Sequence, residues 1–257
     1  MKVKPVSIVI PTLNEEQYLP RLLESLVSVT SPLDIIVVDG ASEDGTVHVV
    51  ERFSSSFQRD SSLTLIQSPE RGISLQRNKG AEQATHDILI FCDADIVFPS
   101  DEVFQRIVTE LVEKKYAVAA PLLRPIESGN DLKRLYHILT LMQKLLLFFG
   151  RPFFAGSCLL TSKDVFKRAG GFDETIMLGE DVDYSIRAAK LGRAGLVHIE
   201  LPVSARRAIK YGYKWLLSEL PNLFRFLLTG KLKSETIYYP FGEYGGQKPH
   251  HVTRNTG

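Results

Sequence analysis

This 257-residue chain is short of several things, and each shortage removes a class of function. Cysteine is scarce. Cys92 and Cys158 alone occur, at a spacing that matches no zinc pattern, which fits an intracellular protein with incidental thiols. Charge of one sign is missing too. Lys+Arg 31 against Asp+Glu 30 leaves a formal net charge of +1, so no global basic field attracts nucleic acid. The longest apolar stretch, "ILTLMQKLLLFFG", is too short for a membrane span and carries Gln143 and Lys144. The opening "MKVKPVSIVIPTLNEE" lacks the apolar core of a signal peptide. No internal repeat and no low-complexity tract is visible. What remains, 44% hydrophobic and 24% charged, is a globular composition with enough length for a substantial core. A soluble, cytoplasmic protein with peripheral contact to the inner face of a membrane is expected.

Short β-branched runs alternate with helical patterns through the first half. Strands are expected at "SIVIP", "DIIVVD", "LTLIQ", "DILIFCD" and "AVAAPLL". Helices are expected over Glu15 to Val29, Thr46 to Phe57, Ile73 to Ala84 and Glu102 to Lys115. That alternation predicts an α/β fold, a mostly parallel central sheet flanked by helices and built from right-handed crossovers. The strands read as unbroken apolar runs, as strands covered on both faces do. Further on, Asp131 to Phe149 and "EDVDYSIRAAKLG" read as helices, "AGSCLLTS" and "GLVHIEL" as strands. Ligands in such sheets bind beyond the carboxyl ends of the strands, where "PTLNEE", "DGASEDGT" and "DADIV" fall.

Each polar cluster has a chemical account and a plain one. In "HDILIFCDADIVFP" two aspartates, Asp93 and Asp95, interrupt a buried apolar run, which costs several kcal/mol unless they are compensated. In extended structure both point to one side and suit Mg²⁺ or Mn²⁺; alternatively they cap a turn. Asp39 ends the second strand and suits a base N–H or a ribose hydroxyl. The plain account there is a turn, with Gly40 and Gly45 supplying positive φ. Glu180, Asp181 and Asp183 open a helix, as capping acids or as the seat of a general base. "RGISLQRNKG" offers Arg71, Arg77 and Lys79, of which Arg77 suits a diphosphate. His198 is either a core histidine or a third metal ligand. Two other nucleotide folds are excluded, because no G-x-G-x-x-G follows the first strand and "TGKLK" is no P-loop.

Together these segments, over residues 5 to 205, resemble the family 2 glycosyltransferases of GT-A type. "SIVIPTLNEEQYLPRLLESL" is similar to the family's opening strand and helix, and the resemblance sets Pro11, Thr12, Asn14 and Glu15 along the nucleotide pocket. It makes Asp39 the base-recognising acid and puts Arg77 near the nucleotide. "FCDADIVF" resembles the D-x-D element, which implies Asp93 at the ribose and Asp95 on the metal bridging the diphosphate. "GGFDETIMLGEDVDYSIRAAKLG" resembles the acceptor segment and its Glu-Asp pair, which implies Asp181 as general base with Glu180 beside it. Implied overall is metal-assisted, inverting transfer from a UDP, GDP or dTDP sugar to an acceptor hydroxyl. The second strand ends in Asp-Gly-Ala where Asp-Asp-Gly is more usual. The Q-x-x-R-W element of processive synthases is absent, with "SARRAIKYG" near that place.

Residues 206 to 257 are expected to form a separate basic, aromatic, amphipathic extension with a loose tail. Its Lys, Arg, Tyr, Trp and Phe suit an anionic membrane surface and a lipid-linked acceptor. Packing on the domain, or a homodimer interface, is the alternative use. Arg206 and Arg207 suit the phosphates or an anionic acceptor. Rival functions are a sugar-nucleotide binder without turnover and a polyprenyl-phosphate sugar synthase. A nucleotidyltransferase is disfavoured, since "PTLNEEQ" has no glycine-rich basic loop.

Overall fold

The computed structural model describes residues 4–57, 60–176, 179–206 and 208–210. The chain runs β1 (Val6–Thr12), α1 (Leu19–Val27), β2 (Leu33–Asp39), α2 (Thr46–Phe53), β3 (Ser62–Gln67), α3 (Ile73–Gln83) and β4 (Ile88–Cys92). It continues through α4 (Asp101–Glu113), β5 (Tyr116–Pro125), α5 (Asn130–Phe148), β6 (Cys158–Ser162), α6 (Lys163–Ala169), α7 (Glu180–Ala189) and β7 (Arg193–Val203). Seven strands form one sheet in the order β3-β2-β1-β4-β6-β5-β7. The sheet is parallel except for β6, which pairs antiparallel with both β4 and β5.

Every residue of β1, β2 and β4 is buried, because helices cover both faces. The pleat then sorts alternate side chains to opposite layers. Ile8, Ile10, Ile35 and Val37 meet α1, α2 and α4 through Leu19, Leu22, Leu23, Val50, Phe53 and Phe104. Val9, Ile36, Val38 and Phe91 meet α3, α6 and α7 through Ala81, Phe166 and Tyr184. Helix α3 comes close to the sheet at Gly80, where a Cβ would stand 2.3 Å from Val9 Cγ1. That closeness holds the start of α3 over the carboxyl edge of the sheet.

Several boundaries differ from the sequence expectation. Helix α1 starts at Leu19, not Glu15, because Pro20 fits only the first helical turn and residues 15 to 18 form a separate turn. The extra helix α6 starts on Ser162, whose hydroxyl accepts from Val165 N, and stops at Gly170 with φ 81°. The Asp93–Asp95 pair is not extended. Strand β4 ends at Cys92, and Ile96 N donates to Asp93 O across a turn. The turn is stitched to β7 by Val97 N on Pro202 O and Ser204 N on Asp95 O. No helix among the described residues is long and apolar enough to cross a membrane. Beyond residue 210, and at Arg207, the expected basic extension lies outside the described residues.

Candidate active site

The first wall of the crevice is the end of β1 and β2. Asp39 is buried and accepts from Thr12 Oγ1 at 3.1 Å, from Ser42 N at 2.9 Å and from the Ser42 hydroxyl. A carboxylate has about four lone-pair sites, so this network orients Asp39 without exhausting it. Ser42 Oγ in turn accepts from Asn14 N at 2.9 Å, and Asn14 Oδ1 accepts from Glu43 N. The turn is not built on glycine as expected. Ala41 (φ 58°) and Asn14 (φ 57°) take the left-handed conformations, at about 1–2 kcal/mol for the alanine. Gly40 instead makes room for Gln76, whose Nε2 donates to Thr12 O and Val38 O at 2.7 Å. Pro11 is buried beside Thr12 in β1.

The two aspartates of the β4 turn each have their own arginine. Arg77, one helical turn before Gly80, is 1% exposed; its Nη2 donates to Asp93 Oδ1 at 3.0 Å and to Gly156 O at 2.9 Å. Its Nη1 donates to Glu180 Oε1 at 2.9 Å, and the guanidinium lies over the Phe172 ring. Both amino groups of this guanidinium, expected to fork onto a diphosphate, have partners inside the protein. Asp95 faces Arg206, with Nη2 3.3 Å from Oδ2. Arg206 also grips Glu15 through both amino groups, at 2.8 and 2.7 Å, and stacks 3.9 Å above the centroid of Tyr18. Glu15 is itself fixed by its amide on Thr46 Oγ1 at 2.8 Å. The charges that interrupt the apolar run are thus compensated within the chain.

The opposite wall is the start of α7. Gly179, with φ 82°, turns the chain so that three acids enter the first turn with different partners. Asp183 pairs with Arg187 along the helix and is structural. Glu180 is buried against Arg77, and its carboxyl is pushed up to about 7, chiefly by burial and then by the charge of Asp181. Asp181 is partly exposed; its Oδ1 accepts from Val182 N at 2.8 Å and its Oδ2 from Gly156 N. Burial raises its pKa as well, with Arg77 opposing. A carboxyl raised in this way is a stronger base than an ordinary one. Gly156 touches both sides, and a Cβ there would stand 2.8 Å from Arg77 Nη2 and 2.9 Å from Asp181 Oδ2.

His198 does not join this group. It is exposed on edge strand β7, where the pairing with β5 slips between Val197 and Glu200. The strand passes Asp95 only at Val203 and Ser204, about 16 Å further along at 3.3 Å per residue. A metal role for His198 finds no support in that position. Arg71 pairs with exposed Glu43, and Lys79 donates to Ser68 Oγ. Sequence reasoning missed Tyr18 and Gly156. The only signal for Gly156 was a glycine just before a strand.

Asp93 and Asp95 supply hard carboxylate oxygens at the carboxyl edge of a parallel sheet, which fits Mg²⁺ or Mn²⁺ completed by water and phosphate oxygens. Among the described residues no set of three His, Cys, Asp or Glu side chains converges as a protein-only cage.

The profile of glycosyl transferase family 2 matches residues 7–170, from β1 to the end of α6. Glycosyltransferase AglE of Haloferax volcanii is 28% identical over 197 residues, covering 73% of this chain and 62% of that protein. The undecaprenyl-phosphate 4-deoxy-4-formamido-L-arabinose transferase of Proteus mirabilis is 30% identical over 112 residues, 42% of this chain and 34% of the relative. The chain therefore spans only part of each. Mannosyltransferase PcManGT from Pyrobaculum calidifontis, solved with GDP-Man and Mn²⁺, has a TM-score of 0.67 at 21% identity over 91% of this chain and 67% of that one. That likeness bears out the GT-A type of α/β fold. Profile and fold agree, and the chain belongs to glycosyl transferase family 2.

Proposed function

We propose that the chain transfers a sugar from a nucleoside-diphosphate sugar to an acceptor hydroxyl, with inversion and with the help of Mg²⁺ or Mn²⁺. One observation carries this reading: runs of polar contacts, joined by the backbone at Asn14–Glu15 and at the Asp93–Asp95 turn, lie between the proposed base pocket and the proposed general base. They lead from Asp39 through Ser42, Asn14 and Glu15 to Arg206 and Asp95. They continue across the turn to Asp93, Arg77, Gly156 and Asp181. A hydrolase has no need of the first half of that network, and a mere binder has no need of the second.

In this reading Asp39, oriented by Thr12 and Ser42, accepts from the base. Asp95, with Asp93 beside it, would hold the divalent cation. The ion, when bound, supplies Lewis-acid neutralisation of charge on the departing diphosphate. Asp181 takes the proton of the acceptor hydroxyl, whose oxygen bonds to the anomeric carbon from the face opposite the diphosphate. The sugar–diphosphate bond breaks and its electron pair leaves with the diphosphate. Glu180 and Arg77 hold Asp181 and Asp93 in register. UDP, GDP and dTDP donors are the candidates.

A lipid-linked acceptor, reached by contact with a membrane, is favoured by α5. Ile138, Leu141, Leu145 and Phe148 stand exposed along it at spacings of three and four residues, with Lys133, Arg134 and Lys144 on the same helix. The Proteus mirabilis relative, named for undecaprenyl phosphate, supports the same class.

The test is calorimetry with the three nucleoside diphosphates, with and without Mn²⁺, on wild type and Asp95→Asn, followed by turnover of Asp181→Asn. Metal-dependent binding lost in Asp95→Asn, with turnover down at least 100-fold in Asp181→Asn at unchanged donor affinity, is expected. Turnover intact in Asp181→Asn would remove it as the base.

A further inference from the structure

We infer that Arg206 is a built-in cation latch on Asp95, and that a divalent ion reaches this carboxylate only by displacing the guanidinium. The inference rests on the reading that Asp95 is the metal carboxylate. Guanidinium and metal ion seek the same thing, a carboxylate oxygen in a site poor in water. In the structure the guanidinium has it. Arg206 Nη2 lies 3.3 Å from Asp95 Oδ2, and both side chains are less than a tenth exposed.

The pairing is constructed on both sides. Glu15 takes both amino groups of Arg206 in a two-point fork, the strongest geometry for this pair. Tyr18 presents its ring face beneath the guanidinium, 3.9 Å from the centroid. Glu15 and Tyr18 belong to one turn, closed by Tyr18 N on Glu15 O. On the other side, Glu127 accepts from Ser204 Oγ at 2.7 Å and Ala205 N at 2.6 Å, so the backbone just before Arg206 is pinned. Ser204 N also donates to Asp95 O. Latch and carboxylate are therefore set in register by their own backbones.

Two consequences separate a latch from a structural clasp. Cation and guanidinium compete, so weakening the hold on Arg206 strengthens metal binding. And residue 206 opens the basic segment, so a metal that enters moves the root of that segment away from Glu15 or Asp95.

The experiment titrates Mn²⁺ alone, followed by the electron paramagnetic resonance of the free ion, on the full chain without nucleotide. Wild type, Arg206→Gln, Tyr18→Leu and Asp95→Asn are compared, and circular dichroism reports whether each is folded. Arg206→Gln is expected to bind Mn²⁺ at least tenfold tighter than wild type. Tyr18→Leu, which leaves every charge in place, is expected to tighten it about two- to thirtyfold, the range of cation–π contacts from exposed to desolvated. Adding Asp95→Asn to either is expected to abolish the gain. If Arg206→Gln does not fold, Tyr18→Leu decides alone. Unchanged or weaker Mn²⁺ binding in folded Arg206→Gln and Tyr18→Leu, or a gain that survives Asp95→Asn, overturns the latch. Nucleoside-diphosphate binding and turnover by the same preparations stand apart: if they persist while Mn²⁺ affinity is unmoved, the latch fails and the transferase reading stands.

Discussion

The carboxyl of Glu180 offers the most quantitative handle on this site. It is buried beside Asp181 and rises from 4.5 to about 7, because burial and that neighbouring charge together outweigh Arg77. The folded protein thus holds this proton more tightly than the unfolded chain does. Its contribution to stability is complete at low pH and is lost as pH climbs from the unfolded value through about 7. Glu180→Gln keeps an acceptor for Arg77 and removes the titration. Between pH 5 and pH 8 the wild type should lose about 2–3 kcal/mol relative to the variant, at 1.36 kcal/mol per pKa unit. Urea denaturation followed by circular dichroism at pH 5, 6, 7 and 8 measures the difference directly. The variant's advantage should be smallest at pH 5, grow mainly between pH 5 and pH 7, and level off by pH 8. Parallel stability profiles, or a difference that shrinks as pH rises, would refute the proposed electrostatics.

Arg77→Met leaves Asp93 and Glu180 without their buried partner and should cost about 3–5 kcal/mol in chemical denaturation. Gly156→Ala puts a methyl group against Arg77 and Asp181, so turnover should fall more than tenfold while nucleoside-diphosphate affinity, measured by calorimetry, stays within twofold. Asp39→Asn keeps one oxygen for the Thr12 and Ser42 hydroxyls but sets an amide nitrogen against Ser42 N, and should weaken nucleoside-diphosphate binding about tenfold, the worth of a charge-assisted hydrogen bond. The pair Leu141→Glu and Leu145→Glu, on the exposed stripe of α5, should abolish sedimentation with anionic liposomes and leave turnover on a soluble acceptor analogue unchanged.

The central sheet was legible because its strands are covered on both faces. Continuous runs such as Val6–Thr12 and Leu33–Asp39 have few other uses in a chain of this length. The reversed direction of β6 was not legible, since "CLLTS" reads alike in either sense. Helix α6 could have been found from Ser162 at its start and the glycine pair at its end. The acids of the site were legible as types in places. Their partners were not, because Arg77 meets Glu180 across 103 positions of sequence and Arg206 meets Glu15 across 191. Extended geometry was assumed for Asp93 to Asp95, and the turn that separates them also assigns them to different arginines. His198 stayed open to two uses because a histidine in mid-strand carries no mark of which edge that strand occupies.

Gly80 has a consequence for anyone who maps this protein by mutation. Val9 stands where the first carbon of any larger side chain would go, so the helix must lift. Arg77 is one turn away on the same rigid rod, and it would rise with it, out of reach of Asp93 and Glu180. A deep scan scored on turnover would therefore rank Gly80 among the chemical residues, although it bears no functional group. Scored on solubility, the same position would look like ordinary core. The disagreement between those two maps traces the path by which a steric fault in the sheet is converted into an electrical one at the crevice.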